Sequence, residues 1–363
     1  MLPLERLIRA RILDSGPITV AAFMELALTH PLYGYYMKNN PFGVMGDFIT
    51  APDISQVFGE LIGMWGTVCW QQMGCPSEIQ IVECGPGRGT LMNDFLRAAK
   101  NVPDFLRALN IHLIEISPVL RSQQSNLLKE FKPTWHRTIE TVPLGPTILI
   151  ANEFLDALPV HQLVKTDSGW TERYVDSTND HLTFAPGNKP TKLDKLVPEN
   201  IQDAECGSVY EVSTASLGIA DSVSSRLTAA PGYALFIDYG HEIAATGETL
   251  QAVKAHKFTN VLKTPGSSDL TTHVDFASFG NRIRSNGLRV LGPTSQAGFL
   301  KTLGIQKRAE NLMRHASPDQ VSKLRSSTQR LIDPGQMGSL YRVMAAAHPE
   351  LEAPAGFEGE RHG

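Results

Sequence analysis

The chain has 363 residues, 42% of them hydrophobic and 19% charged, a balance typical of globular proteins with one large α/β domain and attachments, or with two domains. A formal charge of −4, with Lys and Arg scattered, argues against a general nucleic-acid binder, which carries a basic stripe. No apolar run approaches the roughly 20 residues that a membrane helix needs, so we expect no membrane insertion.

The cysteines and the first residues indicate a reduced, untargeted protein. The four cysteines form no CxxC pair and no zinc spacing, and no His/Cys/Asp cluster has the spacing of metal ligands, so we expect free thiols and no metal. The opening MLPLERLIRARIL lacks the apolar core and cleavage site of a signal peptide. These features predict a cytoplasmic location.

Residues 1–75 are predicted to form a helical amino-terminal extension. Apolar residues at helical spacing indicate a first helix, and Thr19 caps a second, short one. The stretch GDFITAP follows an irregular segment and is predicted to act as a lid. Thr50 and Asp53 resemble a capping pair that opens a long helix.

Residues 76–160 alternate between buried strands and helices. The strands IQIVE, IHLIEIS and TILIANEF are continuous apolar runs, and the helices LMNDFLRAAK and PVLRSQQSNLLKEF lie between them. This alternation predicts a doubly wound α/β core with right-handed crossovers.

The alternation breaks at residues 161–205, where two alternating runs flank a turn signal, Asp167-Ser168-Gly169. This pattern predicts an inserted β-hairpin followed by a polar segment. The core resumes over residues 206–347 with a helix near 214–228 and the buried strand YALFIDYG. The polar tail at 348–363 is expected to be loose.

The stretch IQIVECGPGRGTL places three glycines between a strand and a helix. Gly85 and Gly87 fit the dinucleotide pattern G-x-G-x-x-G, but Thr90 occupies its third position and the third glycine is Gly89. A phosphate-binding Walker loop requires a lysine that is absent here. The spacing is instead E-x-G-x-G-x-G, with Glu83 at its head.

An acid at the end of this strand favours a cationic cofactor that carries no phosphate. Glu83 would repel a pyrophosphate, whereas S-adenosylmethionine presents an ammonium, a sulfonium and a ribose diol. The glycines allow close backbone approach. Glu115, which closes the next strand, is placed to accept from the ribose hydroxyls. Taken alone, either glutamate would be read as a surface charge or a helix-end partner.

With these residues in view, the chain resembles the MidA-like proteins. These are S-adenosylmethionine-dependent methyltransferases related to the arginine methyltransferase that assists assembly of mitochondrial complex I. The resemblance covers nearly the whole chain, in blocks that include GPITVAAFMELALTHPLYGYY, GDFITAPDISQVFGELIG, ECGPGRGTLMNDFLR, IEISPVLRSQQ, NEFLDALPVHQ, IDYGH, DLTTHVDF and MGSLYRVM. It implies a Rossmann-like, seven-stranded class I methyltransferase sheet, a helical extension over the cofactor, and protein arginine as methyl acceptor. In eukaryotic relatives the target is an NADH dehydrogenase subunit, here the candidate protein partner.

An arginine acceptor calls for carboxylates, because its guanidinium is cationic and its lone pairs are delocalised. The block ANEFLDALP follows a buried strand, at the sheet edge where α/β folds bind ligands. Asn152 is predicted to orient the acceptor through its carbonyl, while Glu153 and Asp156 hold the guanidinium. The alternative is that these residues cap the next helix or are solvated.

Further residues are assigned by position. Thr50 is a candidate cofactor contact, second to its capping role. Asp238 and Tyr239, at another strand end, are candidate substrate contacts. His273 is a third candidate substrate contact, although a histidine in such a setting is more often packed than a base. Asp275 is expected to cap a helix.

Two other functions remain open from sequence. One is an assembly chaperone of a respiratory complex that retains the cofactor site without catalysis. The other is a nicotinamide-dependent oxidoreductase, disfavoured by Thr90 and by the acid before the turn. The sequence leaves the oligomeric state open, a homodimer included.

Overall fold

A computed structural model describes residues 2–38, 50–178, 181–254 and 256–357. Residues 46–49 of the predicted lid GDFITAP lie outside these ranges. The chain divides into two compact units, each built from separate stretches. Unit 1 comprises Met1–Phe48, Leu155–Ile219 and His241–Phe279, and unit 2 comprises Ile49–Phe154, Ala220–Gly240 and Gly280–Gly363.

The described residues form helices and strands that we number in chain order. The helices are α1 (Pro3–Ser15), α2 (Val20–Thr29), α3 (Tyr35–Lys38), α4 (Ala51–Ile54), α5 (Gln56–Gln72), α6 (Thr90–Ala99), α7 (Pro103–Ala108), α8 (Pro118–Leu127), α9 (Thr214–Ala229), α10 (Phe276–Ser285), α11 (Gln296–Thr302), α12 (Ile305–Met313), α13 (Pro318–Ile332) and α14 (Met337–Leu340). In the described part of the chain, none of them is both long and apolar enough to span a bilayer.

The strands are short, as in most globular proteins. They are β1 (Ile18–Thr19), β2 (Ile79–Cys84), β3 (Leu109–Ile114), β4 (Thr134–His136), β5 (Thr147–Asn152), β6 (His161–Thr166), β7 (Gly169–Thr178), β8 (His181–Pro190), β9 (Val209–Val212), β10 (Gly232–His241), β11 (Gln251–Lys254), β12 (Lys257–Thr259), β13 (Asp269–Thr271), β14 (Val274–Asp275), β15 (Arg289–Ser295) and β16 (Tyr341–Ala347).

Unit 2 contains a mixed sheet with the strand order β15-β16-β10-β5-β2-β3-β4. Strands β4, β3, β2, β5 and β10 are parallel, and β16 runs antiparallel to both β10 and β15. Strands β2 and β5 are wholly buried, as expected of continuous apolar runs in a parallel sheet. The chain is thus an α/β protein, as the alternation of strands and helices predicted.

Unit 1 is built on antiparallel pairs. Strands β1, β7, β6 and β9 lie in that order with β8 beside β7, and β12, β11 and β13 form a second small sheet. In the register of β6 and β7, Thr166 lies opposite Gly169, which leaves Asp167 and Ser168 as the connecting turn. Helices α1 and α2 pack into the core of this unit with residues such as Phe23 and Val175.

The structure groups residues 49–75 with the sheet of unit 2 rather than with the amino-terminal helices. The cause is α5, which packs closely on α6. A Cβ added at Gly63 would lie 2.6 Å from the carbonyl oxygen of Phe95, so only glycine allows this approach. Residues 241–279 belong to unit 1, although sequence placed them with the second part of the core.

The tail from residue 348 is not loose over its described length, contrary to expectation. Phe357 is only 2% exposed and packs on Phe299, with ring centroids 5.4 Å apart. The indole nitrogen of Trp65 donates to the carbonyl oxygen of Ala355 at 3.1 Å. The tail is mostly polar in sequence, so the burial of Phe357 was not predicted.

Candidate active site

The strand order of unit 2 reverses between β2 and β5. From β2 the chain proceeds outward to β3 and β4, and from β5 it proceeds to β10 on the other side. Parallel strands that diverge in this way leave a crevice at their carboxyl ends, where open α/β sheets bind ligands. The glycine turn after β2 and the pair Asn152-Glu153 at the end of β5 lie at this edge of the sheet.

The glycine turn depends on backbone conformations that other residues rarely adopt. Gly85, Gly87 and Gly89 have φ values of +62°, +52° and +83°. A Cβ at Gly85 would lie 2.8 Å from Cδ2 of Phe154, so the turn and the segment after β5 approach each other too closely for a side chain.

We expect Gly85→Ala to lower the free energy of unfolding by about 1–3 kcal/mol, because alanine pays for both the left-handed φ and the contact with Phe154. Gly74→Ala is the matched control, since Gly74 has φ +81° and no atom within 4 Å of an added Cβ. Urea denaturation of both variants separates the two costs. Equal losses would show that the contact with Phe154 contributes nothing.

Glu83 is a buried carboxylate whose Oε2 has no hydrogen-bond partner among the described residues. The side chain is 3% exposed, and burial together with the negative charge of Glu115 raises its pKa to about 8. A buried acid without a cation is costly, so this position suits a cationic ligand group. The ammonium or sulfonium of S-adenosylmethionine fits that requirement.

Glu115 lies directly after β3 and is oriented by its neighbours. Its Oε1 accepts from the backbone N–H groups of Ile116 and Ser117, both at 2.8 Å. Its Oε2 accepts from Nε2 of Gln124 at 3.1 Å, and the same nitrogen donates to the carbonyl oxygen of Gly87 at 2.7 Å. Burial raises the pKa of Glu115, and these hydrogen bonds oppose the rise.

Gln124 therefore ties the second acid to the glycine turn, a role that sequence did not predict. Three donors occupy Glu115, and a carboxylate offers about four acceptor positions, so capacity remains for a ribose hydroxyl. Gln124 is fully buried, but it lies in the largely polar helix α8. Its position in the sequence pattern therefore did not distinguish it from a solvent-exposed glutamine.

At the end of β5, Asn152 is 9% exposed and its Oδ1 finds no partner among the described residues. Its Nδ2 donates to Oε1 of Glu153 at 3.3 Å. A buried amide oxygen without a donor is costly unless a ligand supplies one. The carboxyl end of β5 thus presents an acceptor for an N–H group next to a carboxylate.

Glu153 is held by three donors and has an unusual backbone. Its φ is +48°, a left-handed value that costs a non-glycine residue free energy and often marks functional positions. Its Oε1 also accepts from the N–H of Ala51 at 2.9 Å, and its Oε2 accepts from the hydroxyl of Tyr341 at 2.9 Å. Tyr341, from the block MGSLYRVM, was not predicted as a site residue.

Asp238 and Tyr239 lie at the end of β10. The Asp238 carboxylate is 1% exposed and accepts from the backbone N–H groups of Phe154 (3.1 Å) and Tyr239 (2.9 Å). The ring of Tyr239 meets that of Tyr341 edge to face, with centroids 5.6 Å apart. Asp238 therefore orders the turn that follows Glu153.

The predicted capping role of Thr50 and Asp53 is wrong. Thr50 precedes only the four-residue α4 and makes no side-chain cap, and its hydroxyl donates to Oδ2 of Asp53 at 3.3 Å. The long helix α5 begins after Ser55, whose extended backbone separates the two helices and whose hydroxyl caps α5. Asp53 instead binds Arg88 and Thr90.

Asp156 and His273 belong to unit 1. The carbonyl oxygen of Asp156 accepts from the N–H of Thr272 at 2.9 Å. The N–H of His273 donates to Oγ1 of Thr249 at 2.8 Å, and burial, then the nearby His241, lowers its pKa. Asp275 caps α10, because its Oδ1 accepts from the N–H of Ser278 at 3.0 Å.

Within the described ranges, no group of three or more His, Cys, Asp and Glu side chains could hold a metal ion. The features that fit a cofactor are instead a buried acid, a glycine turn with left-handed backbone and a second acid one strand away.

Comparison with known proteins identifies the family. A family model described as S-adenosyl-L-methionine-dependent methyltransferase matches residues 61–294. The chain is 36% identical to "Protein arginine methyltransferase NDUFAF7, mitochondrial" of Danio rerio over 362 residues, which cover 93% of this chain and 85% of that protein. The protein of the same name from Homo sapiens is 35% identical over 371 residues, covering 94% and 83%.

A solved structure agrees with these matches. A crystal structure from Burkholderia thailandensis, bound to S-adenosyl-homocysteine, has a TM-score of 0.82 and 25% identity, and covers 98% of this chain and 94% of its own. The two chains therefore share their fold. The chain therefore belongs to the S-adenosyl-L-methionine-dependent methyltransferase family and is an enzyme that uses this cofactor.

Proposed function

We propose that the protein methylates an arginine side chain of another protein, and that this acceptor is a subunit of the respiratory NADH dehydrogenase. The printed names of the curated relatives, protein arginine methyltransferases, support the arginine acceptor. The family resemblance drawn from the sequence blocks supports the target subunit. The observation that carries the proposal is the paired amide and carboxylate of Asn152 and Glu153 beside the crevice.

For the cofactor, we assign Glu83 to the cationic groups, Gly85, Gly87 and Gly89 to close backbone approach, and Glu115 to the ribose hydroxyls. Thr50 is assigned to the edge of this site through its bond to Asp53. When bound, S-adenosylmethionine supplies an activated methyl group on a sulfonium. The remaining task of the protein is to position the acceptor and exclude water.

For the acceptor, Oδ1 of Asn152 accepts an N–H of the nitrogen that receives the methyl group. The Glu153 carboxylate faces the cationic guanidinium and offsets the cost of its burial. Methyl transfer releases one proton from that nitrogen, since the product guanidinium carries the same charge as the substrate. Asp156 is assigned to the guanidinium, and Asp238, Tyr239 and His273 to the surrounding peptide.

We also propose the finer fold assignment: a Rossmann-like class I methyltransferase sheet of seven strands with an inserted hairpin. Seven strands of the eight-stranded sheet follow one continuous order, with one antiparallel strand near an edge, and this order supports the first part. The antiparallel pairing of β6 with β7 supports the second.

The proposal is tested with NADH dehydrogenase purified from a deletion strain. Wild-type protein and labelled S-adenosylmethionine are added, and mass spectrometry locates the methyl groups. We expect methylated arginine on one subunit, absent when Glu83→Gln replaces the wild type. Label on lysine only, or on no subunit of this complex, would refute the proposed acceptor.

A further inference from the structure

The short helix α4 is bound at its two ends to different parts of the site in unit 2. At its start, the N–H of Ala51 donates to Oε1 of Glu153, the carboxylate assigned to the acceptor. At its other end, Asp53 contacts the glycine turn that is assigned to the cofactor. One four-residue element thus contacts both halves of the reaction site.

The contact at Asp53 is partly buried and involves several donors. The carboxylate is 5% exposed, and its Oδ1 accepts from Nη2 of Arg88 at 2.5 Å and from Oγ1 of Thr90 at 3.2 Å. Arg88 lies between Gly87 and Gly89, so its backbone is part of the turn itself. Thr90 is the first residue of α6.

Helix α4 needs such contacts to hold its position. A helix of four residues is far below the length at which helices are stable alone. The residues on either side, Thr50 and Ser55, have extended backbones, so neither α5 nor the preceding chain continues the helix. The side chain of Ala51 is fully buried and holds the start of α4 against the core. This single contact does not determine the direction of the helix axis.

We propose that Asp53 is a positioning residue that couples the cofactor turn to Glu153 through α4. The guanidinium of Arg88 and the carboxylate of Glu153 both form hydrogen bonds with α4. When the cofactor orders the glycine turn, it therefore also fixes the position of Oε1 of Glu153. Coupling between two sites is reciprocal, so loss of the contact at Glu153 weakens cofactor binding as well. The acceptor half of this proposal rests on the proposed function, whereas the cofactor half does not.

The amide oxygen of glutamine keeps an acceptor for the N–H of Ala51, whereas alanine removes it. We therefore expect Glu153→Gln to leave the affinity for S-adenosylhomocysteine unchanged, and Glu153→Ala to weaken it about threefold to tenfold. Asp53→Asn is expected to weaken it about tenfold, because the charge-assisted bond to Arg88 is lost. The double variant Asp53→Asn/Glu153→Ala should lose little more than Asp53→Asn alone.

Calorimetric titration of each purified variant with S-adenosylhomocysteine measures these affinities, and thermal denaturation checks that each variant is folded. Asp221→Asn is the matched control, because Asp221 forms a bidentate ion pair with Arg282 at the surface of the same unit. Single-turnover methylation at saturating cofactor measures the effect on the acceptor side. Under these conditions the methylation rate of Asp53→Asn should still be about tenfold lower than that of the wild type.

Losses that simply add in the double variant, or unchanged affinity in Asp53→Asn, would overturn the coupling. Normal turnover in Glu153→Gln would instead refute the acceptor role of Glu153, and the affinity data would still decide the coupling between Asp53 and α4.

Discussion

Replacing Glu83 by glutamine is expected to weaken S-adenosylmethionine binding at least about 100-fold while raising the thermal stability of the cofactor-free protein. The cofactor loses the carboxylate at the head of the glycine turn, and removing one partner of a buried charge pair is strongly unfavourable. The free protein gains, because the native state must keep Glu83 protonated up to its pKa of about 8, whereas the same group ionises freely in the unfolded chain.

Glu60→Gln is the matched control for stability. Glu60 is equally buried, at 2% exposed, but its two oxygens bind Arg97 and Arg308. Removing its charge weakens both ion pairs, so thermal stability should fall, although Arg97 keeps a second carboxylate, that of Asp94. Opposite signs for the two variants in a melting experiment would separate a ligand-binding acid from a structural one.

Titration of the Glu83 variant with two ligands identifies the cation that this residue binds. S-adenosylhomocysteine keeps the ammonium but lacks the sulfonium. A loss of affinity confined to S-adenosylmethionine assigns Glu83 to the sulfonium, and an equal loss for both assigns it to the ammonium. Wild-type affinity for both ligands would contradict the electrostatic role of Glu83.

The raised pKa of Glu83 also predicts a pH dependence. In the free protein the pKa is about 8, so at pH 7 the carboxyl is protonated, and binding of a cation must release that proton. Affinity should therefore rise between pH 6 and 8 by up to about tenfold per pH unit and level off above. Calorimetry in buffers of different ionisation enthalpy measures the released proton directly.

The same shift acts on stability with the opposite sign. The unfolded chain ionises near the ordinary value of 4.5, and the native protein only near 8. Over that interval the native state binds more protons, so the free energy of unfolding falls as pH rises. The stability advantage of Glu83→Gln should thus widen from about pH 5 to pH 8 and then remain constant.

Replacing Glu153 by glutamine is the second large expected effect. The variant should lose turnover by about 100- to 1000-fold, because a neutral amide no longer stabilises the guanidinium during transfer. Cofactor affinity should persist, since the amide oxygen still accepts from Ala51. Single-turnover assays combined with cofactor titration separate these two quantities.

Glu248→Gln is the control for Glu153→Gln, because Glu248 forms an exposed ion pair with Arg173 and has no assigned part in the reaction. Its turnover should match that of the wild type. Wild-type turnover in Glu153→Gln itself would leave Asn152 as the main candidate for contact with the acceptor.

The periodicity of the sequence predicted most strands and helices of the core, together with the residues that end each strand. Buried parallel strands are continuous apolar runs, so Glu83, Glu115 and Asn152 could be placed at carboxyl ends from local pattern alone. The glycine spacing and the acid at its head indicated the cofactor class for the same reason, because the chemistry lies within one short stretch.

Only the tertiary structure decided which distant residues share the site. Tyr341 reaches Glu153 because β16 inserts beside β10, an order that no local pattern encodes. Asp53 binds Arg88 rather than capping a long helix. The extended backbone of Ser55 ends α4, so the Asp53 carboxylate is available to the glycine turn. Hydrogen bonds between residues far apart in sequence depend on sheet order and packing, and these are properties of the whole fold rather than of any segment.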